Sequence, residues 1–349
     1  MNPWLQFVGS VLVVGMAGCR PSEVSPTQPA PLKVAFLYAD AHADLAREAI
    51  VAEFGARIQV QAAEQLRDEV QTEESLRTFV NEGYGLIFSM AERSSGSMAA
   101  TRHVAADAQT VHFEQWGGPR STANLRVFEA RTYEGAYLAG VVAGTLSQTH
   151  TLGVDMPILS SSLEGVRIVN AFTLGAQSVE PKSITRVAWG DRGWDRGWDR
   201  GWDRDGGVDM VLRSTDGVSL QLNLNPLGTR GEPLITFEVH WAPYYRQAIQ
   251  AALAQTWVSG DLWWGLREDV VVLASMSPAI APPLRAHVER VRDDIKKGQM
   301  VIWRGPLWGQ DGKPVLRRDE VASDKFLYGM NFYVKGVEGR AMDLYTGSP

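Results

Sequence analysis

The chain begins its folded part by alternating short apolar runs with longer amphipathic stretches. Residues 33–38 form an apolar run of strand length, and residues 43–54 carry apolar positions at helical spacing. Strands and helices then alternate over residues 58–62, 73–81, 85–89, 98–107 and 110–113. This alternation predicts a doubly wound parallel sheet. Ligands of such sheets lie at the carboxyl ends of the strands, which here are residues 38–42 and 89–95.

A long apolar segment, residues 131–144, follows the first series. Nearly every position after Glu134 is apolar or small, so the segment predicts a helix buried against a sheet. Its small residues allow another backbone to approach closely; they are Ala136, Ala139, Gly140, Ala143 and Gly144. We interpret the segment as a packing element and not as a site.

A second series of alternating elements begins at Thr151. It contains a strand from residue 151, a helix over 163–175 and strands over 183–189 and 208–212. The folded part starts near Leu32, and the roughly 318 residues that follow are too many for one small core, which predicts two α/β lobes.

The N-terminal residues have the pattern of an export signal. Residues 5–18 form an apolar segment of signal-peptide length, too short to span a bilayer, although residues 1–6 lack the usual Lys or Arg. The segment ends in small residues before Cys19, which resembles the lipobox of bacterial lipoproteins. We therefore expect a lipoprotein signal peptide over 1–19, acylation at Cys19 and a disordered tether over 20–31. The alternative is a soluble protein with an apolar N-terminus.

Charge and motif content narrow the function class. The net charge is −6 with both signs interspersed, which gives no basic stripe for nucleic acid. No zinc-protease, nucleophile-elbow, phosphate-loop or CxxC motif occurs, and the six histidines lack metal-ligand spacing. We therefore expect no enzymatic activity, no cofactor and no metal.

Three tandem copies of Gly-Trp-Asp-Arg occupy residues 193–204. A four-residue period matches no solenoid or propeller repeat, and each glycine costs a helix about 1 kcal/mol relative to alanine. Two interpretations remain open for this repeat. It is either an aromatic platform for a ring-shaped ligand or a partner, or a slippage expansion that forms a loose loop.

Longer stretches resemble a known family. The run FEARTYEGAYLAGVVAG is followed by VNAFTLGAQSVEP, HWAPYYRQAIQAALAQTW, GDLWWGL, GPLWGQDGKPV and FYVKGVEG. In this order they resemble the basic membrane protein family of solute-binding lipoproteins, whose best-understood members bind purine nucleosides for an ABC importer. The resemblance implies a type I periplasmic-binding-protein fold, with two doubly wound α/β lobes joined by a hinge. Residues 32–150 and about 233–262 would form lobe 1, and residues 151–232 and about 263–349 lobe 2.

Five residues match positions at which the family could hold its solute. The resemblance implies a carboxylate contact to ribose at Asp40, polar contacts at Ser89 and Asp216, and aromatic stacking at Phe172 and Trp241. For Asp40 an ordinary helix N-cap is the alternative, and for the aromatic residues a place in the core.

The loops around these residues depart from the family pattern. The loop over residues 38–44 lacks the family's tryptophan, and the loop over 90–97 lacks its aspartate. The segment after Asp216, which in relatives carries an acidic residue that recognises the base, is compressed into residues 217–232. These differences argue against a simple transfer of nucleoside specificity.

The resemblance implies an extracytoplasmic solute-binding lipoprotein of an ABC importer, anchored to a bacterial membrane and facing the periplasm or exterior. Its expected partners are a small solute such as a purine nucleoside, an ABC permease, and the membrane through lipid on Cys19. Two alternatives remain. One is a degenerate family member that acts as a ligand sensor or envelope interaction protein without transport, and the other is a structural lipoprotein that binds no solute.

Overall fold

The computed structural model describes residues 30–39, 44–66, 68–90, 95–118, 120–156, 163–188, 207–214, 219–224 and 232–339. The expected signal peptide with Cys19, nearly all of the tether and the Gly-Trp-Asp-Arg repeat lie outside these residues, as do Asp40 and Asp216.

The described residues form strands and helices that largely follow the predicted alternation. The strands are β1 (Leu32–Tyr38), β2 (Ile58–Ala63), β3 (Leu86–Met90), β4 (His112–Trp116), β5 (Leu125–Ala130), β6 (Thr151–Asp155), β7 (Ile184–Ala188), β8 (Met210–Arg213), β9 (Leu220–Leu224), β10 (Ile235–Val239), β11 (Asp261–Trp264), β12 (Val271–Met276), β13 (Leu307–Trp308), β14 (Pro314–Leu316) and β15 (Val337–Glu338). The helices are α1 (Leu45–Phe54), α2 (Glu69–Asn81), α3 (Ser95–Asp107), α4 (Thr132–Leu146), α5 (Leu163–Val179), α6 (Ala242–Leu253), α7 (Pro282–Lys296) and α8 (Asp324–Tyr328).

A six-stranded sheet forms the centre of the first lobe. Its strand order is β11-β5-β4-β3-β1-β2, and every pair in it is parallel. The predicted doubly wound parallel sheet is therefore confirmed. The chain reverses its direction of winding at β1, which has β2 on one side and β3 on the other. This reversal is the switch point where such sheets open a crevice for ligands.

A seven-stranded mixed sheet forms the centre of the second lobe, in the order β12-β10-β9-β8-β6-β7-β15. The strands β8, β6, β7 and β15 run parallel, and β9, β10 and β12 add to them as antiparallel neighbours. The two sheets with their helices give the expected architecture of two α/β lobes.

The first crossing between the sheets comes earlier in the chain than the expected boundary at residue 150. Helix α4 lies against the seven-stranded sheet, since a Cβ on Gly135 would meet the Phe237 ring of β10. The sequence also predicts that residues 233–262 belong to lobe 1. This assignment is wrong for β10, which belongs to the second lobe. The strand pairs antiparallel with β9 and β12, and only the following helix α6 and strand β11 join the first lobe.

Helices α4 and α5 touch backbone to backbone. A Cβ placed on Gly140 would lie well under 3.0 Å from the Phe172 carbonyl oxygen, and one on Gly175 would meet the Tyr137 carbonyl in the same way. The close approach predicted from the small residues is confirmed, with a helix as the partner in addition to the sheet.

A buried polar cluster ties α6 to the first sheet. The Glu114 carboxylate of β4 accepts a hydrogen bond from Tyr244 Oη at 2.6 Å, one from Trp257 Nε1 at 2.7 Å and one from Arg126 at 3.3 Å. Burial raises the pKa of Glu114 to about 7, although these three donors favour the charged form. Removal of any one of these side chains would leave buried polar groups without a hydrogen-bond partner. The cluster therefore holds α6 in its position on the first sheet.

Three chain crossings join the lobes, at residues 130–132, 239–242 and 264–271, and we call them together the hinge. The crossings are hydrogen-bonded to each other. The Arg131 N–H donates to Trp264 O, and the His240 N–H donates to Val270 O, each at 2.7 Å. None of the described helices combines the length and apolar character needed to cross a membrane.

Candidate functional site

The fold places the candidate site at the carboxyl edges of both sheets, next to the hinge. In the first lobe this edge is formed by the ends of β1, β3 and β4, and in the second lobe by the ends of β6, β7 and β8. The segments that follow β1, β3 and β8 contain residues 40–43, 91–94 and 215–218, which lie outside the described residues. The predicted contacts of Asp40 and Asp216 therefore stay predictions.

Asp44 performs the helix-capping role that the sequence left open for Asp40. One carboxylate oxygen accepts the N–H groups of Ala46 and Arg47 at the start of α1. The other accepts the hydroxyls of Tyr38 at 2.6 Å and Tyr245 at 3.2 Å. Burial and the adjacent carboxylate raise the pKa of both tyrosines, which therefore remain hydrogen-bond donors. With four donors in place, Asp44 holds α1 and α6 at the sheet and is not available to a solute.

Ser89 and Phe172 are both buried, Ser89 at the next-to-last position of β3 and Phe172 within α5. The Ser89 hydroxyl is 2.9 Å from Thr101 Oγ1 on α3, so it faces the helix layer. Phe172 is fully buried in the core, in the third turn of α5. At 1.5 Å per residue it lies about 13 Å along the helix from the end that faces the site.

Trp241 and Trp116 form an aromatic pair at the edge of the first sheet. Trp116 ends β4, and Trp241 lies in the second hinge crossing before α6. Their rings meet edge to face at 6.1 Å, and Trp241 also packs edge to face on Phe128 at 5.0 Å. Trp241 is nearly buried, whereas Trp116 is partly exposed. Trp116 is therefore the ring that a flat ligand can contact, and the nearly buried Trp241 packs against Trp116.

An ion pair lies at the corresponding edge of the second sheet. Asp155 ends β6, Arg213 ends β8, and these two residues are direct partners in the register of the parallel strands. Arg213 Nε is 3.7 Å from Asp155 Oδ2. Burial lowers the pKa of Arg213, and the adjacent carboxylate opposes that shift. The pair brings guanidinium donors and a carboxylate acceptor to the side of the site opposite the tryptophans.

A largely buried carboxylate, that of Glu134, connects two of the hinge crossings. Glu134 in the first turn of α4 accepts the Leu266 N–H at 2.7 Å. Burial raises the pKa of Glu134 to about 7, even though the Leu266 N–H and the Arg131 charge favour ionisation. Because the folded state holds this proton more tightly than the unfolded state, its contribution to stability is full below pH 4.5 and is lost as the pH rises through 7.

Glu134→Gln should therefore remove part of the pH dependence of stability. Glutamine keeps the acceptor for Leu266 and imitates the protonated acid, so the variant should resemble the wild type at pH 4.5 and exceed it at pH 8 by up to about 3 kcal/mol. Urea unfolding at both pH values measures this difference. Glu73→Gln on α2 should give no gain at pH 8, because the hydrogen bond from Arg77 lowers the pKa of Glu73 and favours its charged form. If Glu134→Gln and the wild type were equally stable at pH 8, burial would not disfavour the charged form of Glu134.

Comparison with known proteins decides the family. A family model described as ABC transporter substrate-binding protein, PnrA-like (Bmp), matches residues 39–197. The chain is 30% identical to a purine-binding protein of Brucella abortus (strain 2308), in an alignment of 335 residues that covers 88% of this chain and 93% of that protein. The chain belongs to the Bmp family. As a Bmp protein it is a solute-binding component of an ABC transporter and not an enzyme.

Two further relatives extend the comparison. A putative ABC transporter glucose-binding protein of Haloferax volcanii is 26% identical over 255 residues, which cover 68% of this chain and 61% of that protein. The structure of an ABC transporter solute-binding protein from Conexibacter woesei matches with a TM-score of 0.56 at 19% identity, covering 77% of this chain and 97% of that chain. This structural likeness supports the fold alone. The Bmp protein therefore has the expected type I periplasmic-binding-protein fold.

Sequence reasoning missed several residues of the site region in this Bmp protein. Trp116 carries only a weak positional signal, since it is an aromatic residue that follows the predicted strand over residues 110–113 and precedes two glycines. Asp155 and Arg213 end their strands in the same way, but their pairing depends on β6 and β8 being neighbours, which the sequence does not show.

Proposed function

We propose that this Bmp protein is a lipid-anchored receptor that closes its two lobes around a purine base or nucleoside and presents it to an ABC permease. The observation that carries the proposal is the Trp116–Trp241 pair at the carboxyl edge of the six-stranded sheet, beside the hinge. A partly exposed indole backed by buried aromatic rings is a suitable surface for stacking a flat heterocycle. The purine-binding relative from Brucella abortus supports the choice of solute.

The second lobe can supply polar recognition in this proposal. Asp155 accepts hydrogen bonds and Arg213 donates them, so together they can pair with the mixed donor and acceptor edge of a purine or with ribose hydroxyls. Closure requires that the solute bind the closed state more tightly than the open one. Contacts from both lobes to one solute provide this difference.

The membrane anchor is part of the same proposal. The apolar residues 5–18 and the small residues before Cys19 support acylation of that cysteine. Membrane fractionation of cells that produce the chain with or without Cys19→Ser tests it. Absence of the unsubstituted chain from the membrane fraction would contradict a lipid anchor at Cys19.

A ligand panel tests the solute class. The full chain with Cys19→Ser is heated in the presence of purine bases, purine nucleosides, pyrimidine nucleosides and glucose. A purine at one hundred times its dissociation constant should stabilise the fold by about 2.7 kcal/mol and raise the melting temperature, and the other solutes should have little effect. Stabilisation by glucose and by no purine would indicate that the solute is a sugar and not a purine. No stabilisation by any purine would favour a degenerate interaction protein instead.

A further inference from the structure

Two arginines contact the ring of one tryptophan at the hinge. The guanidinium carbons of Arg131 and Arg167 are 4.7 and 4.9 Å from the centre of the Trp263 ring. The Trp263 indole N–H donates to Ala130 O at 2.9 Å, which fixes the ring at the end of β5. Tyr328 of α8 packs on the same indole at 4.5 Å between ring centres. The indole is nearly buried, so both cation–π contacts are screened from water.

Two carboxylates balance the two arginine charges. Arg167 is 3.5 Å from Glu129 in a pair that is almost fully buried, and Arg131 contacts both carboxylate oxygens of Asp324 at 2.8 and 2.9 Å. Arg131 also donates to Trp263 O at 2.9 Å. The cluster is thus neutral overall, and each cation has a carboxylate and an aromatic partner.

The members of this cluster come from both lobes. Glu129 and Trp263 belong to β5 and β11 of the six-stranded sheet, whereas Arg167 lies on α5, which is bound to the seven-stranded sheet through the Thr173–Thr185 hydrogen bond. Arg167 also donates to Leu327 O in α8 at 3.2 Å. Arg167 therefore connects the second lobe to the first lobe and to the C-terminal part of the chain.

We propose that Arg167 is a positioning residue for solute binding, because its contacts with Glu129, Trp263 and Leu327 form the pivot that holds the two lobes in a narrow range of orientations. Arg167 lies in the hinge cluster and not among the residues at the site edge, so it acts on the solute only through lobe geometry. A planar guanidinium suits this role because it can stack on an indole and hydrogen-bond in its plane at the same time.

The contacts of Arg167 affect solute affinity through the fraction of molecules whose lobes are oriented so that they can close. The apparent dissociation constant equals the intrinsic constant divided by the fraction of molecules in the binding-competent orientation. Loss of the pivot should lower this fraction and weaken binding without changing any solute contact. This part of the proposal rests on the solute-receptor function, whereas the orientation of the lobes can be measured without a solute.

The test measures the distance between the lobes by electron–electron double resonance. The full chain carries Cys19→Ser, which removes the single native cysteine, and spin labels are attached at Val70→Cys on α2 and Lys182→Cys after α5. Arg167→Met should broaden the distance distribution of the solute-free protein and raise the dissociation constant for a purine about tenfold. A distribution that matches the wild type, with an affinity within twofold, would overturn the proposal.

Three further variants separate the pivot from a general loss of stability. Arg167→Lys keeps the charge near Glu129 but not the planar stacking, so it should restore part of the narrow distribution. Glu129→Gln preserves side-chain shape and should broaden the distribution even where Arg167→Met does not fold; an unchanged distribution in this variant would also overturn the proposal. Arg186→Met breaks an exposed pair with Glu338 far from the hinge and should behave as the wild type.

The two proposals can fail separately. If the wild type binds no purine, the receptor function fails, and the solute-free distance distributions still decide whether Arg167 is the pivot. If the wild type binds a purine and the distributions of Arg167→Met and Glu129→Gln are unchanged, only the pivot fails.

Discussion

Gly140→Ala should destabilise the second lobe by about 2–3 kcal/mol. The added methyl group would lie against the Phe172 carbonyl of α5, and a backbone atom cannot move aside as a flexible side chain can. The two helices must separate, which costs packing across their whole contact. The better helix propensity of alanine offsets only about 1 kcal/mol of this cost. Urea unfolding of the variant and the wild type measures the difference.

Gly329→Ala provides the matched control for this prediction. At Gly329 the nearest atoms to an added Cβ are carbonyl oxygens at 3.7 and 3.8 Å, which is ordinary contact distance. This control should change stability by less than about 0.5 kcal/mol, as exposed substitutions usually do. A Gly140→Ala protein as stable as the control would show that α4 and α5 are not held at backbone contact.

Trp116→Ala should weaken purine binding by about 10- to 100-fold. Stacking of a base on an aromatic ring contributes about 1–3 kcal/mol, and every 1.4 kcal/mol changes affinity tenfold. Trp116→Phe keeps an aromatic face and should lose much less. A calorimetric titration with the purine that gives the largest thermal shift measures both constants.

Trp308→Ala is the control for the loss of a partly exposed indole. Trp308 lies in the two-stranded sheet near the C-terminus and is 45% exposed, so its removal should leave the purine affinity unchanged. An equal loss of affinity in the Trp116 and Trp308 variants would indicate a general effect on the fold. Full affinity in Trp116→Ala would remove this ring from the site.

The sequence predicted local elements well because their signals are local. The small residues of α4 predicted a close backbone contact, and the alternation of strands and helices predicted the parallel sheet of the first lobe. The allocation of β10 failed for a different reason. An apolar strand of five residues suits either sheet, and only its pairing with β9 and β12 places it in the second lobe.

The candidate site was harder to predict because it depends on neighbours that are distant in sequence. Helix α1 is capped by Asp44 and not by a residue earlier in the loop. Which side chain caps a helix depends on the residue at which the helix begins. The partnership of Trp116 with Trp241 joins residues more than one hundred positions apart, and the pivot around Trp263 joins four separate segments. Residue types alone do not reveal such contacts.

The most direct test of the central claim is a calorimetric titration of the full chain, carrying Cys19→Ser, with purine bases and nucleosides. We predict saturable binding of one purine per chain, with a negative heat-capacity change from burial of the ring between the lobes. Absence of saturable binding for every purine, in a sample that unfolds cooperatively, would contradict the account.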